Sequence, residues 1–187
     1  MNILVRTYDG HVIFRPDTTW EKDSEDLYPQ DFIKSLSFTP VLFARVSKPG
    51  RSVGEKFADR YYDGIGFGLL IFADDLMDGT AEGFAAATCI DGTSVLPFPL
   101  YGKITLGQGN AFKLFKDGQE LFANDSADKA VVENAIAEVT SHAYIRTGDL
   151  IAVELDSRKP LCTREGGSIS LTGEYCGNRI LDFKIVL

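Results

Sequence analysis

The chain has 187 residues, enough for one domain with a sizeable core and short for two. Hydrophobic residues make up 44% and charged residues 25%, which excludes a disordered, collagen-like or coiled-coil chain. With 19 basic against 27 acidic residues the net charge is −8, which repels phosphate backbones and anionic lipid surfaces, so neither nucleic acid nor membrane is an expected partner.

The three cysteines, Cys89, Cys162 and Cys176, are odd in number and form no C-x-x-C pair. They read as reduced thiols rather than a disulfide framework or a zinc site. The N-terminal Met1-Asn2-Ile3-Leu4-Val5-Arg6 lacks the charged and apolar regions of a secretory signal. The longest apolar run, 64–73, is far shorter than the ~20 residues that span a bilayer. The expectation is a soluble cytoplasmic protein.

In chain order, residues 3–7 and 12–15 favour β structure around Tyr8-Asp9-Gly10-His11, where Asp-Gly supplies the positive φ of a tight hairpin. The acidic stretch 20–30 reads as an exposed loop. Residues 41–46 have strand length and end before Pro49-Gly50, and 55–61 suggest a short helix. The glycines and aromatics of 64–72 favour a buried strand. Residues 79–88 are a loop or short helix. Residues 103–106 and 111–115 look like strands, and Lys116-Asp117-Gly118-Gln119 turns the chain into 120–123.

The main helix follows. Asn124, Asp125 or Ser126 can cap it. Val132, Ile136, Val139 and Ala143 recur at helical spacing, and the helix should end near Ser141. Residues 150–154, 168–172 and 180–186 close the chain as strands. Strands do not alternate regularly with helices, so the fold class is α+β and mostly β: a mixed roll or sandwich with one main helix and short helices.

Local motifs that force chemistry are missing. There is no phosphate loop of the G-x-x-x-x-G-K-[ST] type and no G-x-S-x-G elbow. Gly64, Gly66 and Gly68 have the wrong spacing for a dinucleotide fingerprint and mark close backbone approach instead. His11 falls at a turn and His142 near a helix C-terminus, where a partly positive ring is favoured, so neither reads as catalytic. Asp74 and Asp75 are adjacent on a strand end, point apart, and read as solvated.

Taken in order, the segments resemble the fumarylacetoacetate hydrolase (FAH) family. The resemblance runs from about Val12 to Leu187. It rests on Val12-Ile13-Phe14-Arg15-Pro16-Asp17-Thr18, on 38–46, on 68–76 with Ala73 and Asp75 kept, on 89–96, on the hairpin and helix of 112–147, on Gly148-Asp149-Leu150-Ile151, and on 171–186. It implies a single FAH-like domain over 1–187, with the hairpin 1–16 replacing the usual N-terminal segment. Members of the family typically use Mg²⁺ or Mn²⁺ to hydrolyse, decarboxylate or isomerise small oxo-acids, the ion polarising the oxo-carboxylate and stabilising the enolate.

Carried across residue by residue, the family's metal-binding carboxylates fall on Thr39, Val41 and Leu70, and its lysine on Thr88. Val and Leu cannot coordinate a hard cation, and without cage carboxylates such an ion cannot offset its dehydration cost. The resemblance therefore implies a degenerate pocket at Thr39, Val41, Leu70 and Thr88, no metal ligands, and no cofactor. The role implied is structural, regulatory or binding, in a homodimer or a heteromer with an active paralogue, with a small organic acid as a possible ligand. The alternative is a hydrolase, lyase or isomerase of oxo-acids with a relocated carboxylate site. Its candidate residues are Asp74, Asp91, Glu154 and Arg45, together with Asp156.

Overall fold

The computed structural model describes residues 1–187. Strand β1 (Asn2–Arg6) pairs antiparallel with β2 (Val12–Pro16), and Gly10 takes a φ of +84° in the connecting turn, a value L side chains rarely adopt. Next come β3 (Trp20–Glu21), β4 (Ser35–Val46), helix α1 (Glu55–Ala58), β5 (Tyr62–Ala73), α2 (Ala81–Ala87), β6 (Ser94–Val95), β7 (Phe112–Lys116) and β8 (Gln119–Asn124). The chain ends with α3 (Lys129–His142), β9 (Leu150–Glu154), β10 (Lys159–Thr163), β11 (Ile169–Tyr175) and β12 (Asn178–Ile185).

Two sheets result. The larger runs β2-β1-β9-β4-β5-β6-β3, with β10 also on β4; the smaller is antiparallel in the order β12-β11-β7-β8. The large sheet is mixed, because β1 lies parallel to β9 and β3 parallel to β6. Strand β4 carries a proline in its middle. Leu155 donates to the Pro40 carbonyl, and at this residue β4 changes partner from β9 to β10, so the missing N–H falls at a gap in the ladder.

The period of two along the central strands separates two faces. On one face Leu36, Phe38, Leu42, Ala44, Ile65, Phe67, Leu69, Ile71, Ile151 and Val153 join a cluster of 36 buried side chains. That cluster takes in the small sheet and the inner stripe of α3, Val132, Ile136 and Val139. The other face is thinner. Val41, Phe43, Leu70, Phe72, Leu150 and Ala152 belong to a cluster of nine. Here β5 presents glycines to its neighbours. A Cβ on Gly68 would sit 2.0 Å from the Val95 carbonyl oxygen, and one on Gly66 would sit 2.5 Å from the Phe43 ring. Close packing, as expected from the sequence, explains this glycine run.

The strand and helix expectations hold for most of the chain, with three corrections. Residues 103–106 are not a strand: Lys103–Thr105 form a 3-10 turn, which the Tyr175 hydroxyl engages through Thr105. The stretch after Trp20 is not a free loop. Its first two residues form β3 against β6, the Trp20 indole donates to the Leu96 carbonyl, and Leu27 is buried against β12. The cap of α3 is Asp128, which accepts from the Val131 amide, rather than Asn124, Asp125 or Ser126. Asn124 instead closes a turn before the helix by accepting from Ala127.

Candidate functional site

The thin face of the large sheet carries polar groups among its aliphatic ones. Arg15 on β2 is 1% exposed. Its guanidinium donates to the Ile71 carbonyl at 2.7 Å, and to the Thr93 carbonyl and the Ser94 hydroxyl, both at 3.1 Å. These bonds join edge strand β2 to β5 and β6 across the face, so the sheet curls around its nine-residue cluster. The guanidinium carbon lies 4.6 Å from the centre of the Phe72 ring. Ser94 pairs with Leu70 across β6 and β5, so the cation sits beside Leu70. Burial lowers the Arg15 pKa to about 9 against the opposing pull of the Glu154 carboxylate, a value at which the group stays charged at neutral pH.

Glu154 ends β9 on the same face, opposite Val41 in the ladder. One carboxyl oxygen accepts from the Tyr8 amide at 2.9 Å and the other from the Thr39 hydroxyl at 3.2 Å. Burial raises its pKa above the usual carboxylate range, against the opposing pull of these two bonds and of Arg15; Asp9 adds to the rise. The carboxyl opens onto a cavity of about 700 Å³ lined by Tyr8, Asp9, His11, Phe72, Phe84 and Arg158, among others.

No protein-family model matches the sequence, and no curated protein matches it significantly. Solved structures do match. A fumarylacetoacetate hydrolase family protein from Yersinia pestis CO92 superposes with a TM-score of 0.81 over 99% of this chain and 92% of its own, at 15% identity. Fumarylpyruvate hydrolase from Pseudomonas aeruginosa, solved with Mn²⁺ and pyruvate, gives 0.83 over 100% and 90%, also at 15% identity. The chain has the FAH fold. A 5-carboxymethyl-2-hydroxymuconate delta-isomerase from Mycobacterium smegmatis gives 0.81 over 99% and 78% at 13% identity, so both hydrolases and isomerases are built on this scaffold.

Within this FAH fold, the four positions named from the family resemblance are sealed. Val41 and Leu70 are 0% exposed, Thr39 is 1% and Thr88 is 2%. Thr39 and Leu70 face each other across β4 and β5, one step from Val41. Thr88 stands apart at the C-terminus of α2, where its hydroxyl donates to the Ala85 carbonyl. These residues do not fit Mg²⁺ or Mn²⁺. Two are aliphatic, the Thr39 hydroxyl is committed to Glu154, and Arg15 already places a positive charge alongside. No group of three or more His, Cys, Asp or Glu side chains anywhere in the chain is arranged to hold a metal ion.

The other candidate residues scatter. Asp74 accepts from the Ser37 hydroxyl at 2.5 Å and borders a different cavity, between β10 and the small sheet. Its neighbour Asp75 is exposed, as expected; burial tends to raise its pKa, but the Lys34 and Ser35 amides and the Ser35 hydroxyl that donate to it together lower it, and the carboxylate ties the end of β5 to the start of β4. Asp91 is exposed in a turn. Arg45 points outward and pairs with Asp63 through two bonds of 3.0 and 2.9 Å. Asp156 pairs with Lys159 at 2.5 Å. Glu154 is thus the one candidate that faces the cavity, and the buried cation acting on it is Arg15.

Sequence reasoning missed the roles of Arg15, Tyr8, Phe72, Phe84 and Arg158. A signal existed for Arg15. It stands two residues after Ile13 in a short β run, which places a full charge on the inward phase of the alternation. The three cysteines are free, and burial raises the Cys162 thiol pKa to about 11, which makes it unreactive. No helix is long and apolar enough to cross a membrane.

Proposed function

We propose that this FAH-fold chain works without a divalent cation and has given up the metal-dependent oxo-acid chemistry of the family it resembles, serving instead as a binding or regulatory protein. One observation carries the reading. The sites that the resemblance gives to metal-binding carboxylates are buried Val41, Leu70 and Thr39, and a buried guanidinium lies beside them. Carboxylates left there without a cation would each cost several kcal/mol, so aliphatic replacements remove a penalty once the ion is gone. Arg15 reinforces this, since a fixed cation repels a second one.

Calorimetric titration with MnCl₂ and MgCl₂ tests the reading. The expected result is no saturable binding; micromolar affinity in this chamber overturns it. The assembly that goes with the role is a homodimer, or a heteromer with an active paralogue, which light scattering after size exclusion measures.

A second reading is favoured by one feature. Glu154 is a buried carboxyl with a raised pKa at the wall of a cavity, the condition of a general acid. A metal-independent enzyme acting on small oxo-acids would use it to deliver a proton to a developing enolate oxygen. Incubation with oxaloacetate and acylpyruvates under EDTA separates the two. Turnover abolished by Glu154→Gln supports the enzyme, and no turnover supports the binding protein.

A further inference from the structure

The cavity beside Glu154 has a charge pattern that no fold resemblance supplies. Arg158 follows β9 and lies at the rim, exposed, with no carboxylate within ion-pair distance. Its guanidinium contacts only the Met77 sulfur and lies 5.7 Å from the centre of the Phe72 ring. The other arginines of this region are engaged: Arg15 through its two terminal nitrogens, with carbonyls and hydroxyls as acceptors and Nε left without a partner, and Arg45 by Asp63. Phe84 is half-buried on the cavity wall, its ring centre 6.3 Å from that of the buried Phe72. Glu154 and Asp9 line the same cavity, and neither forms a salt bridge. The lining thus combines an unpaired guanidinium, two carboxylates, His11 and an aromatic side chain around one space.

We propose that this cavity is a metal-independent binding site for a small aryl carboxylic acid bearing a hydrogen-bond donor opposite its carboxylate. The carboxylate pairs with Arg158, the ring lies against Phe84, and the donor reaches Glu154. A guanidinium suits a planar carboxylate because it donates through two parallel N–H groups. Its existing stack on Phe72 orients it before the ligand arrives. The volume of about 700 Å³ is within the range of small-molecule sites and leaves room for one such ligand. Asp9 fixes the direction of binding, since a carboxylate turned toward the hairpin would meet a like charge.

The proposal rests on the metal-free reading above, and the experiment separates the two. The whole chain is titrated with 4-hydroxybenzoate under EDTA and followed by calorimetry, with benzoate and 4-hydroxybenzamide as comparison probes. Saturable binding of 4-hydroxybenzoate is expected. Loss of one charged hydrogen-bonded partner predicts binding about tenfold weaker for 4-hydroxybenzamide, and for 4-hydroxybenzoate with the Arg158→Gln variant. Glu154→Gln should weaken 4-hydroxybenzoate and leave benzoate unchanged. Arg45→Gln, outside the cavity, should leave both unchanged.

Thermal unfolding of each variant confirms that it is folded. Binding that Arg158→Gln does not alter overturns the site. So does the absence of saturation up to about 10 mM with or without Mn²⁺, while the metal-free reading then stands. Binding that appears only when Mn²⁺ is added overturns the metal-free reading itself.

Discussion

The two faces of the β4–β5–β9 sheet are built from the same three strands and follow different rules. One buries its side chains in a cluster of 36 residues against α3 and the small sheet, and its inward residues are almost all aliphatic or aromatic. The other gathers nine apolar side chains and mixes them with glycines, Thr39, Glu154 and Arg15. On the first face any large apolar residue of suitable volume does the work, because burial is nondirectional. On the second face nearly every polar group has named partners at fixed distances, the Arg15 Nε excepted, so its energetics are those of a hydrogen-bonded network. Stability is invested in the first face and specificity in the second.

Substitutions break or sharpen this contrast. The largest effect is expected on the thick face. Phe67 is 1% exposed and stacks on Phe112 and Tyr175, so Phe67→Ala should cost about 4 kcal/mol in urea unfolding and leave no site-specific signature. A loss below about 1 kcal/mol would show that the face is less tightly packed than drawn. Arg15→Met comes next. Met fills the space but strands the Ile71 carbonyl, at about 1–3 kcal/mol, while the Thr93 carbonyl keeps the Ile71 amide; relief of the buried charge offsets part of this. The expected loss is about 1–2 kcal/mol, and a neutral or stabilised variant would show that the cation is dispensable.

Glu154→Gln probes the network through pH. A folded-state pKa raised above the unfolded one means that the native carboxyl holds its proton longer than the unfolded chain does. Its contribution to stability is therefore fully present below the ordinary glutamate range and is lost as pH rises through the raised value. The difference in melting temperature, variant minus native, should shift in favour of the glutamine variant as pH rises from the ordinary glutamate range upward. A difference that is flat or of opposite slope would contradict the environment described for this carboxyl. The smallest effect belongs outside both faces. Arg45 and Asp63 are each 45% exposed, so Arg45→Gln should change stability by less than about 0.5 kcal/mol, as read from the urea midpoint.

Much of the scaffold was legible in the sequence because period-two alternation, turn glycines and helical spacing act over a few residues. The strand 64–72, the hairpin at Asp117-Gly118 and the stripe Val132, Ile136 and Val139 were all readable in this way. Where short signals compete, reading was harder. Lys103–Thr105 has strand-like composition, yet a 3-10 turn forms there against Tyr175, a residue 70 positions away from Thr105. The N-cap was ambiguous because Asn124 and Asp128 both lie before the helix, and only backbone geometry separates the residue that closes a turn from the one that caps.

The candidate site was legible in a negative sense. The family resemblance pointed to Thr39, Val41 and Leu70, and the structure brings these three together on one face. It did not point to what surrounds them. Arg15 meets Ile71 across 56 residues, Thr39 meets Glu154 across 115, and Tyr8 meets Glu154 across 146. Of the dispersed candidates Asp74, Asp91, Glu154 and Arg45, composition alone offered no reason to prefer one.

By itself the sequence determined the fold class, the apolar phase of the central strands and the absence of carboxylates where the family resemblance expects them. Only the tertiary structure decided that a guanidinium from an edge strand crosses the thin face, that Glu154 alone among its rivals meets the cavity on that face, and that Arg158 stands unpaired above Phe72. The physical reason is range. Alternation and capping are fixed by neighbouring residues, whereas the environment of a buried charge is set by groups the chain brings together only after the sheet has curled.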